Sequence, residues 1–152
     1  MRQVEFVVVS DVHLGTYGCN AKELLIYLKS IDPKIVVLNG DIIDIWQFSK
    51  RYWPKSHMKI IKHVLKWISE GKEIYYVTGN HDEMLRKFKG FKMGKFVIVN
   101  KVILTLDGKK TWFFHGEVFE VTMQYSKWIA KLGGVSYDLL ILIIFLITTL
   151  DK

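Results

Sequence analysis

Apolar residues fall along the chain in two alternating rhythms. Val4 to Ser10 is nearly continuous and rich in β-branched residues, the pattern of a strand covered on both faces, whereas Asn20 to Ser30 sets Leu24, Leu25 and Leu28 on one side of a helix. Asn20 stands where it can cap that helix, with Glu23 in the first turn. After Pro33, the run Ile35 to Asn39 predicts a second strand. Ser56 to Glu70 then returns to helical spacing through Ile60, Ile61, Val64, Leu65 and Ile68, ending at Gly71. Glu73 to Thr78 predicts a third strand, so the order is strand, helix, strand, helix, strand, which predicts a parallel α/β sheet with right-handed crossovers. Phe96 to Asn100, Val102 to Leu106 and Thr111 to Phe114 predict further strands with no helix between them. Asp107-Gly108 supplies a hairpin turn, so the sheet is expected to turn mixed or antiparallel there.

Open α/β sheets bind ligands just beyond the carboxyl ends of their strands. Those are the places where this chain puts its chemistry. The first strand runs into SDVHLG with Asp11 and His13, and the second into NGDIIDIW with Asp41 and Asp44. The third runs into TGNHDE with Asn80, His81 and Asp82, and a later one into FFHGE with His115. Singly, an Asp after a strand is most often a turn or cap residue and a lone His a structural one. Four strand ends together carry carboxylates, imidazoles and an amide, the ligand types that hold borderline divalent metals.

Composition narrows the setting. At 152 residues, half of them hydrophobic, the chain is long enough for one core and too short for two ordinary domains. The single cysteine, Cys19, cannot form an intramolecular disulfide, and no N-terminal signal segment is legible, so the expected compartment is cytoplasmic. A net charge of +7 favours an anionic partner: a phosphorylated metabolite, nucleic acid or an anionic membrane. The basic stretches 50–66 and 86–95 interleave lysines with aromatics, but solvated helix faces and loop lysines are the commoner explanation, as surface or packing roles are for His57 and His63. Trp46, Tyr52 and Trp53 line either a pocket or a lid. The run YDLLILIIFLITTL, residues 137 to 150, is shorter than the roughly 20 residues of a spanning helix. It is expected to be a buried helix or, following Met123, Trp128, Ile129 and Leu132 at helical spacing with Lys127 and Lys131, part of a helical cap that dips into a membrane.

D-x-H (Asp11, His13), G-D-x-x-D (Gly40, Asp41, Asp44), G-N-H-D (Gly79 to Asp82) and H-G (His115, Gly116), in this order, resemble the calcineurin-like metallophosphoesterase superfamily. SDVHLG, LNGDIIDIW, TGNHDE and HGEVFE followed by SKWIAKLG resemble its UDP-2,3-diacylglucosamine pyrophosphatase branch, which works in lipid A biosynthesis. The resemblance implies an α/β metallophosphoesterase core of mixed β-sheet layers flanked by helices, and a site for two divalent metal ions, with Mn²⁺ the expected pair. It puts Asp11, His13 and Asp41 on one ion, and Asn80 and His115 with the bridging Asp41 on the other. Cations clamping the attacking and leaving oxygens make a Ser or Cys nucleophile unnecessary. His81 is expected to stabilise developing charge or protonate the leaving oxygen, with Asp82 its orienting partner and Asp44 outside the ligand set. The implied substrate is a nucleotide-linked lipid, UDP-2,3-diacylglucosamine, cleaved to a lipid monophosphate and UMP. The implied location is cytoplasmic, peripheral at the inner membrane, with no nucleic acid partner favoured.

The chain also departs from that pattern. His81 stands where the best-known members of the branch carry Arg, Glu117 and Glu120 stand where Asp is usual, and no later Gly-His-x-His block follows. The expectation is therefore a core at 1–120, incomplete at its C-terminus, and a helical cap or membrane-contacting segment at 121–152. The chain would be an N-terminal portion or a shortened copy, completed by a missing segment or an oligomer. The competing readings are a metal-dependent nuclease or cyclic-nucleotide phosphodiesterase, and a catalytically impaired fragment that only binds lipid or a partner.

Overall fold

The structure, a computed structural model, describes residues 1–45 and 52–116. Trp46, Glu117, Glu120 and the expected cap at 121–152 lie outside the described residues. Met1–His115 forms one unit and Gly116–Lys152 a second, of which only Gly116 is described.

Strand β1 (Arg2–Val9), helix α1 (Ala21–Ser30), strand β2 (Ile31–Asn39), helix α2 (Lys55–Ser69) and strand β3 (Glu73–Val77) follow in the predicted order. A 3₁₀ turn over Glu83–Phe88 leads to β4 (Lys92–Met93) and β5 (Phe96–Val99), and the hairpin β6 (Lys101–Leu106) and β7 (Lys109–Phe114) follows. The main sheet has the order β1-β2-β3-β5-β4. All its pairs are parallel except the antiparallel β4–β5 edge. Alternation along the strands turns Val36, Leu38, Ile74, Tyr76 and Ile98 into one buried cluster with Ala21, Leu25 and Leu28 of α1 and Ile60 and Trp67 of α2. On the opposite face, Phe6 of β1 meets Phe113 of β7 with ring centroids 5.2 Å apart. Among the described residues, no helix is long and apolar enough to cross a membrane.

Several boundaries differ from the sequence reading, each for a physical reason. Strand β2 begins before Pro33 rather than after it. Pro33 pairs with Val4, while β3 joins β2 only from Ile35 opposite Glu73, so no neighbour on that side needs the missing N–H. Strand β1, expected to be covered on both faces, is the edge of the sheet among the described residues, with Val7 buried and Val8 41% exposed. Asn20 occupies the N-cap position of α1, but its side chain makes no capping bond. The antiparallel turn of the chain does not stay in the main sheet. Strand β5 pairs parallel with β3, and the β6–β7 hairpin, turning through Asp107 (φ 50°) and Gly108 (φ 75°), forms a sheet of its own.

The end of α2 is as predicted. Gly71 adopts φ 77° and donates to the Ile68 carbonyl (3.0 Å), while Lys72 donates to Trp67 (3.0 Å), which closes a Schellman motif. His57 and Trp67 join the buried face of α2 beside the apolar stripe. His63 sits between the helices, its Nε2 3.3 Å from the Leu28 carbonyl and its ring edge-on to Trp67.

Candidate metal centre

The loops that leave β1 and β2 are zipped together by main-chain hydrogen bonds. Asp11 N–H donates to the Gly40 carbonyl (3.2 Å), His13 to Asp41 (2.9 Å), Leu14 to Ile42 (2.9 Å) and Asp44 back to Leu14 (2.9 Å). Within this ladder Asp11, His13 and Asp41 all take left-handed backbone conformations, with φ of 53°, 51° and 53°. Asp and His tolerate that region better than most residues, yet each such residue stores strain, and such strain clusters where side chains are aimed for a task.

The third loop is tied to the second through two carboxylates. Asp82 is fully buried: Oδ1 accepts from Gly79 N–H (2.5 Å), and Oδ2 accepts from Ile42 N–H (3.1 Å) and the Tyr76 hydroxyl (2.7 Å). Burial first, and the Asp82 charge second, push the Tyr76 hydroxyl far above its ordinary range, so it stays a donor. Asp41 Oδ1 accepts from His81 N–H (2.9 Å), and Ile45 N–H donates to the His81 carbonyl (3.0 Å).

Two glycines of the sequence motifs are set by space. A Cβ on Gly79 would lie 2.2 Å from Asp41 Oδ1, and one on Gly40, whose φ is 76°, would lie 2.2 Å from His115 Nδ1. The tight approach of Asp41 and His115 to neighbouring backbone is what these two positions permit.

Two groups of donor atoms result, each with its atoms within 4.8 Å of one another: Asp11, Asp41 and His115, and His13, Asp44 and His81. In the first, His115 Nε2 is 3.4 Å from Asp41 Oδ2 and 3.1 Å from Asn80 Oδ1, while Nδ1 faces the Asn39 carbonyl at 3.5 Å. In the tautomer that turns Nδ1–H to that carbonyl, Nε2 offers a lone pair beside two oxygen acceptors, a setting that suits a cation. In the second, Asp44 Oδ2 lies 2.9 Å from His81 Nδ1 and 3.4 Å from His13 Nδ1, and the two rings meet edge-on at 4.7 Å. His81 Nδ1 is buried and has no hydrogen-bond partner among the described residues, so the Asp44 contact is a close approach outside the bonding direction. His13 Nε2 is 3.9 Å from Asp41 Oδ2, which joins the groups through Asp41. Carboxylate, imidazole and amide donors in this density fit divalent ions.

All seven candidates from the sequence meet at this end of the sheet, but their groupings shift. His13 turns its ring to Asp44 and His81, while Asp11 keeps company with Asp41 and His115. Asp44, expected outside the ligand set, sits 1% exposed in the middle of the second group. The carboxylate that faces the His81 ring is that of Asp44; Asp82 instead spends both oxygens on neighbouring backbone and Tyr76. His57, expected to have a surface or packing role, is buried against Tyr52 and Trp53. It accepts a hydrogen bond from Gly15 N–H, and its helical register with Ile60, Val64 and Trp67 was the available signal.

Comparison with known proteins agrees with this geometry. The family model for calcineurin-like phosphoesterases matches residues 4–142. A protein of Porphyromonas gingivalis (strain ATCC BAA-308 / W83) named UDP-2,3-diacylglucosamine hydrolase is 29% identical over 116 residues, covering 71% of this chain and 44% of that protein. The chain thus spans less than half the length of this curated relative. With its strand-end motifs gathered around Asp41 and the family model matched over most of its length, the chain belongs to the calcineurin-like phosphoesterase family.

Proposed function

We propose that the chain is the core of a Mn²⁺-dependent phosphohydrolase that cleaves the pyrophosphate of a nucleotide-linked lipid, UDP-2,3-diacylglucosamine, to a lipid monophosphate and UMP at a membrane surface. The observation that carries the phosphohydrolase part is the convergence of two donor groups on Asp41. The lipid substrate rests on the similarity to the Porphyromonas gingivalis hydrolase and is the finer part of the proposal.

Two divalent ions would supply Lewis acidity at the phosphoryl oxygens and lower the pKa of the attacking water. Asp11, Asp41, Asn80 and His115 would hold one such ion, and His13 and Asp44, with Asp41 between the groups, would hold the other. His81 is the residue assigned to the departing oxygen. Asp44 Oδ2 lies 2.9 Å from its buried Nδ1, which makes no hydrogen bond among the described residues, and the side chain is 30% exposed, so the open side of the imidazole is available to offset charge or deliver a proton there. Asp82, itself held by the Tyr76 hydroxyl, accepts from the backbone of Gly79 and Ile42, keeping the third loop registered against the second.

The test is release of UMP from UDP-2,3-diacylglucosamine by the purified chain in mixed micelles, with Mn²⁺, with chelator, and with Asp41→Asn. Release that requires metal and fails in the variant supports the proposal. Metal-dependent cleavage of bis-p-nitrophenyl phosphate without UMP release would refute the lipid substrate alone, and metal-independent release would refute the metal centre.

A further inference from the structure

One buried titratable side chain is not used by the chemistry above: His57, in the first turn of α2, 2% exposed. Its Nδ1 accepts a hydrogen bond from Gly15 N–H at 3.0 Å, across 42 residues of sequence. The Tyr52 and Trp53 rings stand edge-on to the imidazole with centroids at 6.0 and 5.7 Å, and Tyr17 stacks on Tyr52 at 3.7 Å. The ring is therefore fixed on one side by aromatics and on another by a single main-chain donor.

That donor lies two residues after His13. The turn between them is closed by Thr16, whose N–H and hydroxyl both reach the His13 carbonyl (3.2 and 2.9 Å). Leu14 between them is locked into the loop after β2. A left-handed residue such as His13 keeps its conformation only where the surroundings over-determine it, and the Gly15 bond is the part of those surroundings that comes from α2. Burial pushes the His57 imidazole below its ordinary range, in keeping with a bare Nδ1 acting as acceptor.

We propose that His57 is a positioning residue for the metal centre: through Gly15 it holds the turn that aims His13 at the second donor group. This rests on the reading of His13 and Asp44, with Asp41 between the groups, as the second cation site. Aliphatic packing would fill the same space beneath Tyr52 and Trp53. What an aliphatic side chain cannot do is accept from Gly15, and a buried main-chain N–H without an acceptor pulls its turn toward another arrangement.

Two substitutions of opposite character separate positioning from packing. In His57→Asn the amide Oδ1 stands at the branch position of Nδ1 and can accept from Gly15, but the ring volume is lost. In His57→Leu more apolar volume is kept and the acceptor is lost. Titration calorimetry of the full chain with Mn²⁺ should show His57→Leu binding about 10- to 100-fold more weakly than wild type, with His57→Asn within about threefold, as expected when an outer partner of a ligand is removed or kept. Thermal melts without metal should rank the variants the other way, Leu above Asn. Metal affinity that instead follows the melting order would make His57 a packing residue and overturn the proposal. Wild-type chain that binds no Mn²⁺ would overturn the cation-site reading itself, and this proposal with it. Independently of metal, imidazole ¹⁵N shifts should show His57 with Nδ1 bare and Nε2 protonated; the opposite tautomer would remove the hydrogen bond on which the argument stands.

Discussion

Gly79→Ala is the change that most directly tests how the centre is built. The added methyl would sit 2.2 Å from Asp41 Oδ1 and 2.7 Å from Asp41 N, so Asp41 or the loop after β3 must retreat by at least about 1 Å to restore ordinary contact. Asp41 has little freedom to yield. Its carbonyl accepts from His13 N–H at 2.9 Å, its Oδ1 accepts from His81 N–H at 2.9 Å, and the residue is 4% exposed. Gly79 N–H is bonded to Asp82, so the loop cannot move without disturbing a second carboxylate. Overpacking of this kind costs about 1–3 kcal/mol, equivalent to a melting temperature lower by about 3–10 °C for a chain of this size. The functional loss should be larger in proportion, since a displacement of about 1 Å in a reacting geometry costs about 100-fold in rate. Mn²⁺ affinity by calorimetry and kcat/KM on a phosphodiester are the measurements. Gly18→Ala, where the new methyl meets nothing within 4 Å, is the matched control and should leave both unchanged. Gly79→Ala with wild-type affinity and turnover would show that the contact between Asp41 and the third loop does not govern the site.

Three further outcomes are expected. Asp41→Asn should reduce Mn²⁺ binding more than Asp44→Asn, because Asp41 Oδ2 faces both His13 and His115, and equal affinities of wild type and Asp41→Asn would remove Asp41 from its central place. His81→Ala should lower turnover while metal content measured by atomic absorption stays near normal; loss of metal would instead make His81 a ligand of the second group. Burial lowers the folded-state pKa of both His57 and His63 below 6.5, so in that window the unfolded chain binds more protons and stability should fall as pH drops below about 6.5. Denaturation midpoints at several pH values, with His63→Phe flattening part of the slope, check the sign; stability that rises on acidification through that range would contradict it.

The strand ends were readable because periodicity reports burial, and burial decides which run is a strand and which a helix. Val36 to Asn39 ending on Gly40-Asp41, and Glu73 to Val77 ending before Gly79, are local facts. The Asp107-Gly108 turn is also local chemistry, since both residues tolerate positive φ. What each polar atom faces is not local. Asp82 and Asp44 follow their strands in similar fashion, yet one meets Ile42 N–H across 40 residues and the other meets two imidazoles. Those fates depend on how three loops stack, which no single window of sequence encodes. His57 was hidden for a related reason: its helix reads as basic, and the partner that gives it a duty lies 42 residues earlier. The hairpin's departure from the main sheet was equally invisible, because alternating burial in β6 looks the same whichever neighbour it pairs with.

The strand order β1-β2-β3-β5 means that neighbours in space arrive nearly in the order in which a ribosome delivers them. Each crossover can dock onto an edge already formed, so sheet growth needs no long-range search. The donor groups mature on a different schedule: Asp11 and His13 emerge first, but the Asp41–His115 pair closes only once β7 has folded back to bring Phe114 beside Asn39. An ion bound to that pair would therefore stabilise the finished fold over a chain in which β7 has not yet docked, favouring completion by mass action. Metal supply during synthesis should thus change the yield of protease-resistant chain while leaving the early formation of the sheet unaffected, which pulse proteolysis of arrested nascent chains with and without Mn²⁺ can read.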